Sequence, residues 1–517
     1  MIVSIKALIV ILAIAAVIFR VAKPIALRFS AERDFIRRRN VWFVLTVTAF
    51  LTPSFWLFVL VATPLLIWAG RKDANPVALY LLMLHVIPPI LVEIPVVGIN
   101  RLFDLDNYRL LSLCVLIPTA WRLRKSKDTD RIRGLQAMDF LLLAYGVLQV
   151  FLFIPPDLRS HVILQNSFTN DLRRAFLFFV DVYVLYFVVS RSCSSRRAIV
   201  DAVAAFCLAC AVMAAVAIFE TVRHWLLYSD FFFRWSNLLP VDLYQLRGSA
   251  LRAQASAGHA LALGYILAVA FGFWLYLRSN LKATRRKIAV TLLLWLGLLF
   301  SYSRGPWIGA VAIYFAFAAA SPRALPGLFK AAFVAVLVAG VVAVSPLGDR
   351  IISDLPFLGG SVDAGSVIYR QRLAERSWEL IKEHPFLGDQ LALTKMEGLR
   401  QGQGIIDTVN TYAGVALDYG LIGLSIFVGF ILTALFKAYR ASKVIAQSDP
   451  DLALLGTSLT ACIVGTLLMI ANSSFMYGYE EMFYVLAGLA TAYVRLCRLP
   501  ERRAANDARG GRSQVLR

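Results

Sequence analysis

Apolar runs long enough to cross a bilayer recur along almost the whole of this 517-residue chain. The first is Ile2 to Phe19. Others lie near 41–69, 75–96, 108–121, 136–154, 173–190, 198–219, 259–277, 287–303, 305–320, 328–345, 412–437, 451–472 and 478–495. A helix of about 20 apolar residues spans the hydrocarbon of a membrane, so the pattern predicts an all-α polytopic integral membrane protein of about 12 to 14 transmembrane helices. Composition agrees, with 59% hydrophobic and 16% charged residues. A soluble chain of this length cannot hide so much apolar surface.

The net charge of +21 raises nucleic acid as a partner, but the distribution argues for no nucleic acid and for a lipid bilayer instead. The basic residues sit in short blocks between apolar runs, as cytoplasmic loops do under the positive-inside rule. The segments 20–40, 71–74, 122–135, 191–197, 278–287, 321–330, 437–450 and 495–517 hold 35 of the 53 Lys and Arg residues. Placing them inside puts 155–172, 220–258 and 346–411 outside and leaves the C-terminus cytoplasmic. The resulting plan is a transmembrane region over 1–345, a large external loop over 346–411, C-terminal helices over 412–495, and a disordered tail over 496–517. Residues 20–40 read as an amphipathic surface helix ending at Arg37, Arg38 and Arg39. Pro53 and Pro64 divide 41–69 into two half-length helices that return to one side.

Chemistry by metal or redox groups finds no support. All six cysteines fall in apolar runs or on the inner side, and Cys207 and Cys210, although spaced as a pair, belong to a helix-packing run. No zinc-ligating histidine pair and no glycine-rich phosphate loop is present. Neither a metal nor a cofactor is therefore expected. Asp104 and Asp106 resemble a metal-diphosphate pair only weakly. Asp181 and Glu93 are carboxylates inside or at the edge of apolar runs, where a helix-to-helix hydrogen bond or a functional interior explains them equally.

The outer side carries the polar chemistry. Arg247, Arg252 and His259 precede one span, and Arg304 occupies a turn between two spans too short to be a loop. The long loop adds Arg370, Arg372 and Arg376 on a mixed-charge amphipathic segment, then Pro385, Gly388, Gly402 and Gly404, which punctuate a loop. The chain re-enters the apolar region through Asp407, Asn410 and Tyr412. Asp407, Asn410 and Thr411 share a helical face if the turn begins early. A single arginine at such a place anchors the interface or pairs with an acid. Several together suit a pyrophosphate, because a guanidinium grips phosphate oxygens by two parallel bonds.

These stretches resemble the O-antigen ligase and Wzy-type polysaccharide polymerase superfamily, in particular its exopolysaccharide polymerase relatives. The turn from Ser301 to Gly305 is similar to that family's Ser-Arg-Gly turn. The run from Arg370 through Glu383, His384, Pro385, Phe386, Leu387 and Gly388 resembles its loop helix and the motif that follows. Asp407 to Tyr412 and Asp418 to Leu424 resemble its re-entry motif, and Arg247 to His259 its preceding external segment. The likeness is dense over 245–425 and elsewhere rests on hydropathy. One departure stands out: Val409 occupies the position where ligases of the family carry a catalytic histidine before the asparagine.

The resemblance implies a bacterial inner-membrane glycosyltransferase in exopolysaccharide biosynthesis, with its large loop periplasmic. Its donor is an undecaprenyl-pyrophosphate-linked oligosaccharide, its acceptor a glycan, and other polysaccharide-assembly membrane proteins are its neighbours. Arg252, Arg304 and Arg370 would hold the pyrophosphate, with Arg247, His259 and Arg372 beside them. Asp407 or His384 would be the base, and Trp378, Asn410 and Tyr412 would position sugars. Val409 tilts the reading towards a polymerase. The alternatives are an O-antigen ligase with a lipid or protein acceptor, and a lipid-linked glycan flippase. A transporter would line a path across the membrane and carry internal repeats, whereas the polar residues here gather on one side.

Overall fold

A computed structural model describes residues 2–96, 101–125, 136–153, 168–236, 244–247, 249–321, 364–400, 406–476 and 478–514. The span expected near 328–345 and much of the long loop lie outside these residues. The described protein is an all-α polytopic membrane protein with six helices long and apolar enough to cross a bilayer, besides shorter apolar ones.

The N-terminal helix α1 (Ile2–Ala26) runs beyond its apolar stretch into the basic block, and α2 (Glu32–Leu51) starts inside that block. No separate surface helix exists over 20–40. The cause is Arg38, which meets carboxylates and so enters packed protein instead of staying at the surface. Its Nε and Nη2 donate to Asp73 at 2.9 and 2.6 Å, and its Nη1 and Nη2 to Asp201 at 2.8 and 2.9 Å. A buried charge is tolerated when it is paired in this way. Thr52, Pro53 and Ser54 turn the chain, and the Ser54 hydroxyl caps α3 (Phe55–Lys72) by accepting from Leu57 N. The first turns of α2 and the end of α3 meet, through Arg38 and Asp73. The two helices are 20 and 18 residues long and not half-length, because α2 begins well before the apolar run does.

The run at 75–96 is not one span. It forms α4 (Pro76–Met83) and then irregular chain through Pro88 and Pro89, which have no N–H to continue a helix. Irregular backbone among membrane helices must be buried in protein and satisfied there. Accordingly Asn107 Nδ2 donates to Leu84 O at 3.1 Å and Ser256 Oγ to His85 O at 2.6 Å. Strand β1 (Val92–Glu93) then pairs antiparallel with β2 (Asp104–Leu105). Asp106 is the N-cap of α5 (Asn107–Leu111), accepting from Arg109 N at 2.8 Å, so its carboxylate has a helix to hold. A π-helical turn (Ser112–Leu116) joins α5 to α6 (Ile117–Lys125).

Helix α7 (Ala137–Phe153) follows, then α8 (Phe168–Phe178), a second π-helical turn (Phe179–Val184) and α9 (Leu185–Ser192). Asp181 in that turn pairs with Arg109 Nε at 2.9 Å. Next come α10 (Arg196–Arg223), the short α11 (Ser229–Trp235), and strands β3 (Leu246–Arg247) and β4 (Ala250–Leu251). The remaining helices are α12 (Ala260–Leu277), α13 (Thr284–Phe300), α14 (Arg304–Ala320), α15 (Ala364–Glu383), α16 (Thr411–Ile445), α17 (Pro450–Ile470) and α18 (Tyr479–Gln514). The last continues to Gln514, through the segment read from sequence as a disordered tail.

A helix apolar on every side is either buried in protein or faces lipid, and burial separates the two classes here. In α12 94% of the most apolar window is buried and in α10 83%, against 28% in α1 and 33% in α3 and α16. Helices α10 and α12 form the centre, and the others surround them. Free cysteines help pack this centre: Cys207 Sγ lies 3.5 Å from Ala270 O and Cys462 Sγ 3.6 Å from Val269 O.

The loops sort to two ends. At one end are the turns after α1, α3, α9, α12 and α16, cross-linked by pairs such as Arg28 to Asn280 O and Arg196 to Asp449. These are the basic turns. At the other end lie residues 224–236, 244–247, 249–259, 301–303, 384–400, 406–410 and 471–474, cross-linked by Arg247 to Tyr302 O and by Thr411 N to Ser473 O.

Candidate functional site

The turn between α13 and α14 is the focus of the second end. Ser301 N and Tyr302 N close onto Leu298 O and Leu299 O, and Tyr302 takes a left-handed φ of +46°. A bulky residue in that region is uncommon and costs conformational energy, a pattern that clusters at functional sites. The Ser303 hydroxyl turns back to Ser301 O at 3.0 Å, so it does not cap α14. Arg304 is therefore the first residue of a helix whose N-terminus has no side-chain cap. Its Nε is buried and has no partner among the described residues. A cationic donor at an open helix N-terminus suits an anion.

Two further arginines are fixed around this turn. Arg247 Nη1 donates to Tyr302 O at 2.8 Å. Arg252 donates from Nε to Ser301 O at 3.3 Å, from Nη2 to Ser303 Oγ at 2.9 Å and from Nη1 to Gln245 Oε1 at 3.0 Å. Burial and the neighbouring Arg247 push the Arg252 pKa down to about 10, which leaves it charged at neutral pH. Gln245 Nε2 lies 3.2 Å from His259 Nε2, and His259 Nδ1 accepts from Leu261 N at 3.2 Å, making it the N-cap of α12. Burial, helped by the Arg252 charge, pushes His259 down to about 4, so its ring is neutral at pH 7.

The re-entry segment approaches the same end. Asn410, not Asp407, is the N-cap of α16: its Oδ1 accepts from Tyr412 N at 2.9 Å and Ala413 N at 3.3 Å. Asp407 lies before the helix, so the shared helical face expected for Asp407, Asn410 and Thr411 does not form. Its Oδ1 accepts from Val409 N at 3.0 Å and from the Ser474 hydroxyl, while Oδ2 has no partner among the described residues. Val409 is left-handed, with φ +50°, a conformation rare for a β-branched residue. Thr411 N and Oγ1 both donate to Ser473 O, at 3.1 and 2.8 Å, which ties the segment to the end of α17. Tyr412 points inward, its hydroxyl donating to Leu467 O at 3.0 Å.

The loop helix is joined to α16 through backbone. Helix α16 breaks at Gly420, whose φ of +65° and ψ of −171° are not helical. The freed N–H groups of Leu421 and Ile422 donate to Pro385 O at 2.7 Å and Phe386 O at 3.3 Å, and Leu417 O accepts from Asp389 N at 2.7 Å. Chain approach is so close that a Cβ on Gly420 would lie 2.2 Å from Phe386 O, and one on Gly388 2.4 Å from Leu417 O. The glycines of both motifs thus serve one joint. Leu373, Leu380 and Ile381 of α15 pack beside it against Ala416 and Leu417.

That packing leaves Arg370, Arg372, Trp378 and His384 exposed. His384 Nε2 sits 4.0 Å from Asp389 Oδ2, which also pairs with Lys395 at 2.7 Å. Among the described residues these four form no hydrogen bond or ion pair with the turn at Arg304. The sequence-predicted set therefore divides: Arg247, Arg252, His259 and Arg304 are brought together, Asp407 lies within electrostatic reach of His259, and the α15 group stands apart. Gln245, Ser303, Ser473 and Ser474 escaped the sequence reading, since small polar residues in short loops have no periodic signal.

Residues 288–428 match the model of a family described as O-antigen ligase. The matched stretch contains Arg304, α15, the Gly388–Gly420 joint, Asp407 and Asn410, and leaves Arg247, Arg252 and His259 outside it. The resemblance to that superfamily thus holds, and with it a membrane glycan ligase- or polymerase-type function. No curated protein matches the chain.

Proposed function

We propose, from the premise of an O-antigen ligase-type region in a polytopic membrane protein, that the chain polymerises glycan units. The donor is an undecaprenyl-pyrophosphate-linked oligosaccharide, the acceptor a growing surface polysaccharide or exopolysaccharide, and the reacting face periplasmic. The observation that carries the reading is the turn Ser301–Gly305. Arg247 and Arg252 are fastened to it, and the Arg304 guanidinium stands at an uncapped helix N-terminus with a buried Nε that has no partner among the described residues. The large loop over 346–411 is external in this reading, and the basic turns at the opposite end are cytoplasmic.

An acceptor hydroxyl attacks the anomeric carbon of the donor sugar, and the bond from that carbon to the pyrophosphate oxygen breaks. Undecaprenyl pyrophosphate leaves with the electron pair. Arg304 and Arg252 stabilise the charge growing on it, in a place where the donors are already oriented. Asp407 Oδ2 receives the hydroxyl proton. Asn410 and Tyr412 hold the re-entry segment in place, and Arg370, Arg372 and Trp378 on the exposed face of α15 meet the sugars from above. His384 is the second candidate for the base. The donor is already activated, so neither nucleotide nor metal is needed.

A ligase is the second reading, favoured by the description of the matched family. Val409 in place of the family histidine weighs against it. A deletion strain separates the two. Surface repeats that stay single point to a polymerase, and polymer left on undecaprenyl pyrophosphate and missing from its acceptor points to a ligase. A normal surface polysaccharide would contradict both.

A further inference from the structure

Glu220 lies in the last turn of α10, within an apolar run, with none of its surface exposed. Among the described residues it pairs with no basic side chain. Instead its carboxylate accepts three backbone N–H bonds: Leu227 N to Oε1 at 3.0 Å, Gln254 N to Oε2 at 3.0 Å and Ala255 N to Oε2 at 2.8 Å. Gln254 has φ −124° and ψ −27°, and Ala255 is left-handed at φ +45°. A turn whose second residue is left-handed directs successive N–H groups at one point, as in an anion-binding nest. Here the anion is built into the protein.

The nest begins two residues after Arg252. On the other side of Arg252, Thr221 Oγ1 donates to Leu251 O at 3.2 Å, and His224, the left-handed C-cap of α10, lies with Nε2 3.0 Å from Ser249 O. Three side chains from one helix end thus hold the backbone before and after Arg252. Between those anchors, Arg252 N bonds Gln245 O at 3.0 Å and Ala253 N bonds Phe300 O at 3.0 Å. From this backbone placement the guanidinium reaches Ser301 O and Ser303 Oγ.

We propose that Glu220 is a positioning residue for the transfer reaction: its carboxylate fills the nest at Gln254 and Ala255 and thereby sets Arg252 against the Ser301–Ser303 turn. The proposal rests on the reading of Arg252 as a pyrophosphate-holding group. Glutamine at this position has one acceptor oxygen and an amide that donates, so it cannot serve three N–H groups through two oxygens. Thr221 is a weaker second anchor of the same segment.

Two measurements on the purified full chain test this. The first is amide hydrogen exchange, which needs no activity. Glu220→Gln should speed exchange over residues 249–257 by about 10- to 100-fold, the scale for losing hydrogen bonds to a charged acceptor, and leave α12 and α17 unchanged. The second is kinetic. The same variant should lower kcat/KM for the lipid-linked donor, with kcat falling because Arg252 no longer meets the charge that grows on the leaving group, and should have no further effect in an Arg252→Ala background. Thr221→Val should shift both readouts the same way but less, and it decides the matter if the Glu220 variant does not fold. Unchanged exchange over 249–257, faster exchange throughout, or an equal kinetic loss with and without Arg252 would each overturn the proposal. If Arg252→Ala alone transfers normally, the functional reading of Arg252 fails, while the exchange result still decides whether Glu220 sets its place.

Discussion

Arg38 and Arg304 are the same residue at opposite ends of the protein, and their surroundings are inverted. Arg38 is 2% exposed, with bonds from Nε, Nη1 and Nη2 to two carboxylates. The carboxylates are equally committed. Asp201 also accepts from Ser30 Oγ and Asn75 Nδ2, and Asp73 from Asn75 N. Arg304 begins a helix, meets no carboxylate among the described residues, and keeps a buried Nε without a partner. Asp407, at the same end, keeps one carboxylate oxygen without a partner among the described residues. A buried charge whose bonds are all internal is architecture; one left incomplete at a helix end is chemistry.

This contrast breaks most sharply on a pair of aspartates. Asp407→Asn should lower glycan transfer by about 10²- to 10⁴-fold, the scale for losing a general base, with protein abundance unchanged. The asparagine oxygen can still accept from Val409 N, so the turn survives. Asp201→Asn should do the reverse, lowering the amount of folded protein while each folded molecule transfers normally. Quantitative immunoblotting beside a transfer assay reads both. An active Asp407→Asn variant beside an inactive His384→Gln would move the base to His384, and activity in both would remove a general base from this end.

Arg38→Ala leaves two carboxylates buried without their cation and should destabilise the fold by about 3 to 5 kcal/mol. A thermal melt in detergent checks this, and an unchanged midpoint would show that the cluster is hydrated rather than structural. The joint between loop and α16 gives a smaller effect. Gly420→Ala meets a backbone penalty of about 1 to 3 kcal/mol, because its φ and ψ lie in a region essentially open to glycine alone, as well as the Phe386 carbonyl. It should loosen α15 and raise protease sensitivity between α15 and α16, leaving the Arg38 end intact. Resistance equal to the parent protein would mean that the backbone bonds at Pro385 and Phe386 do not hold the loop.

Much of this architecture is legible in the sequence. The apolar runs mark most of the described helices, and the described basic turns after α1, α3, α9, α12 and α16 share one end. Arg247, Arg252, His259 and Arg304 are recognisable as a group because arginines are conspicuous beside apolar spans. What escapes is whatever depends on a distant partner. The burial of Arg38 requires Asp73 and Asp201, the latter 163 positions away. The irregular stretch after α4 requires Asn107 and Ser256 to satisfy its carbonyls. Asp407 and Asn410 are both acceptable helix caps, and only the point where the first turn closes decides between them. Gly388 and Gly420 read as ordinary loop punctuation until their backbones are seen to touch.

The central claim is that the turn at Arg304 holds a pyrophosphate. Its direct test is the affinity of undecaprenyl pyrophosphate for the full chain in lipid nanodiscs, measured for the parent protein, Arg304→Ala and Arg304→Lys. Both variants should bind about 10- to 100-fold more weakly with unchanged melting temperature, since a lysine cannot reproduce the two parallel bonds of a guanidinium. Parent-like affinity in Arg304→Ala would contradict the claim. Parent-like affinity in Arg304→Lys alone would reduce it to a requirement for positive charge.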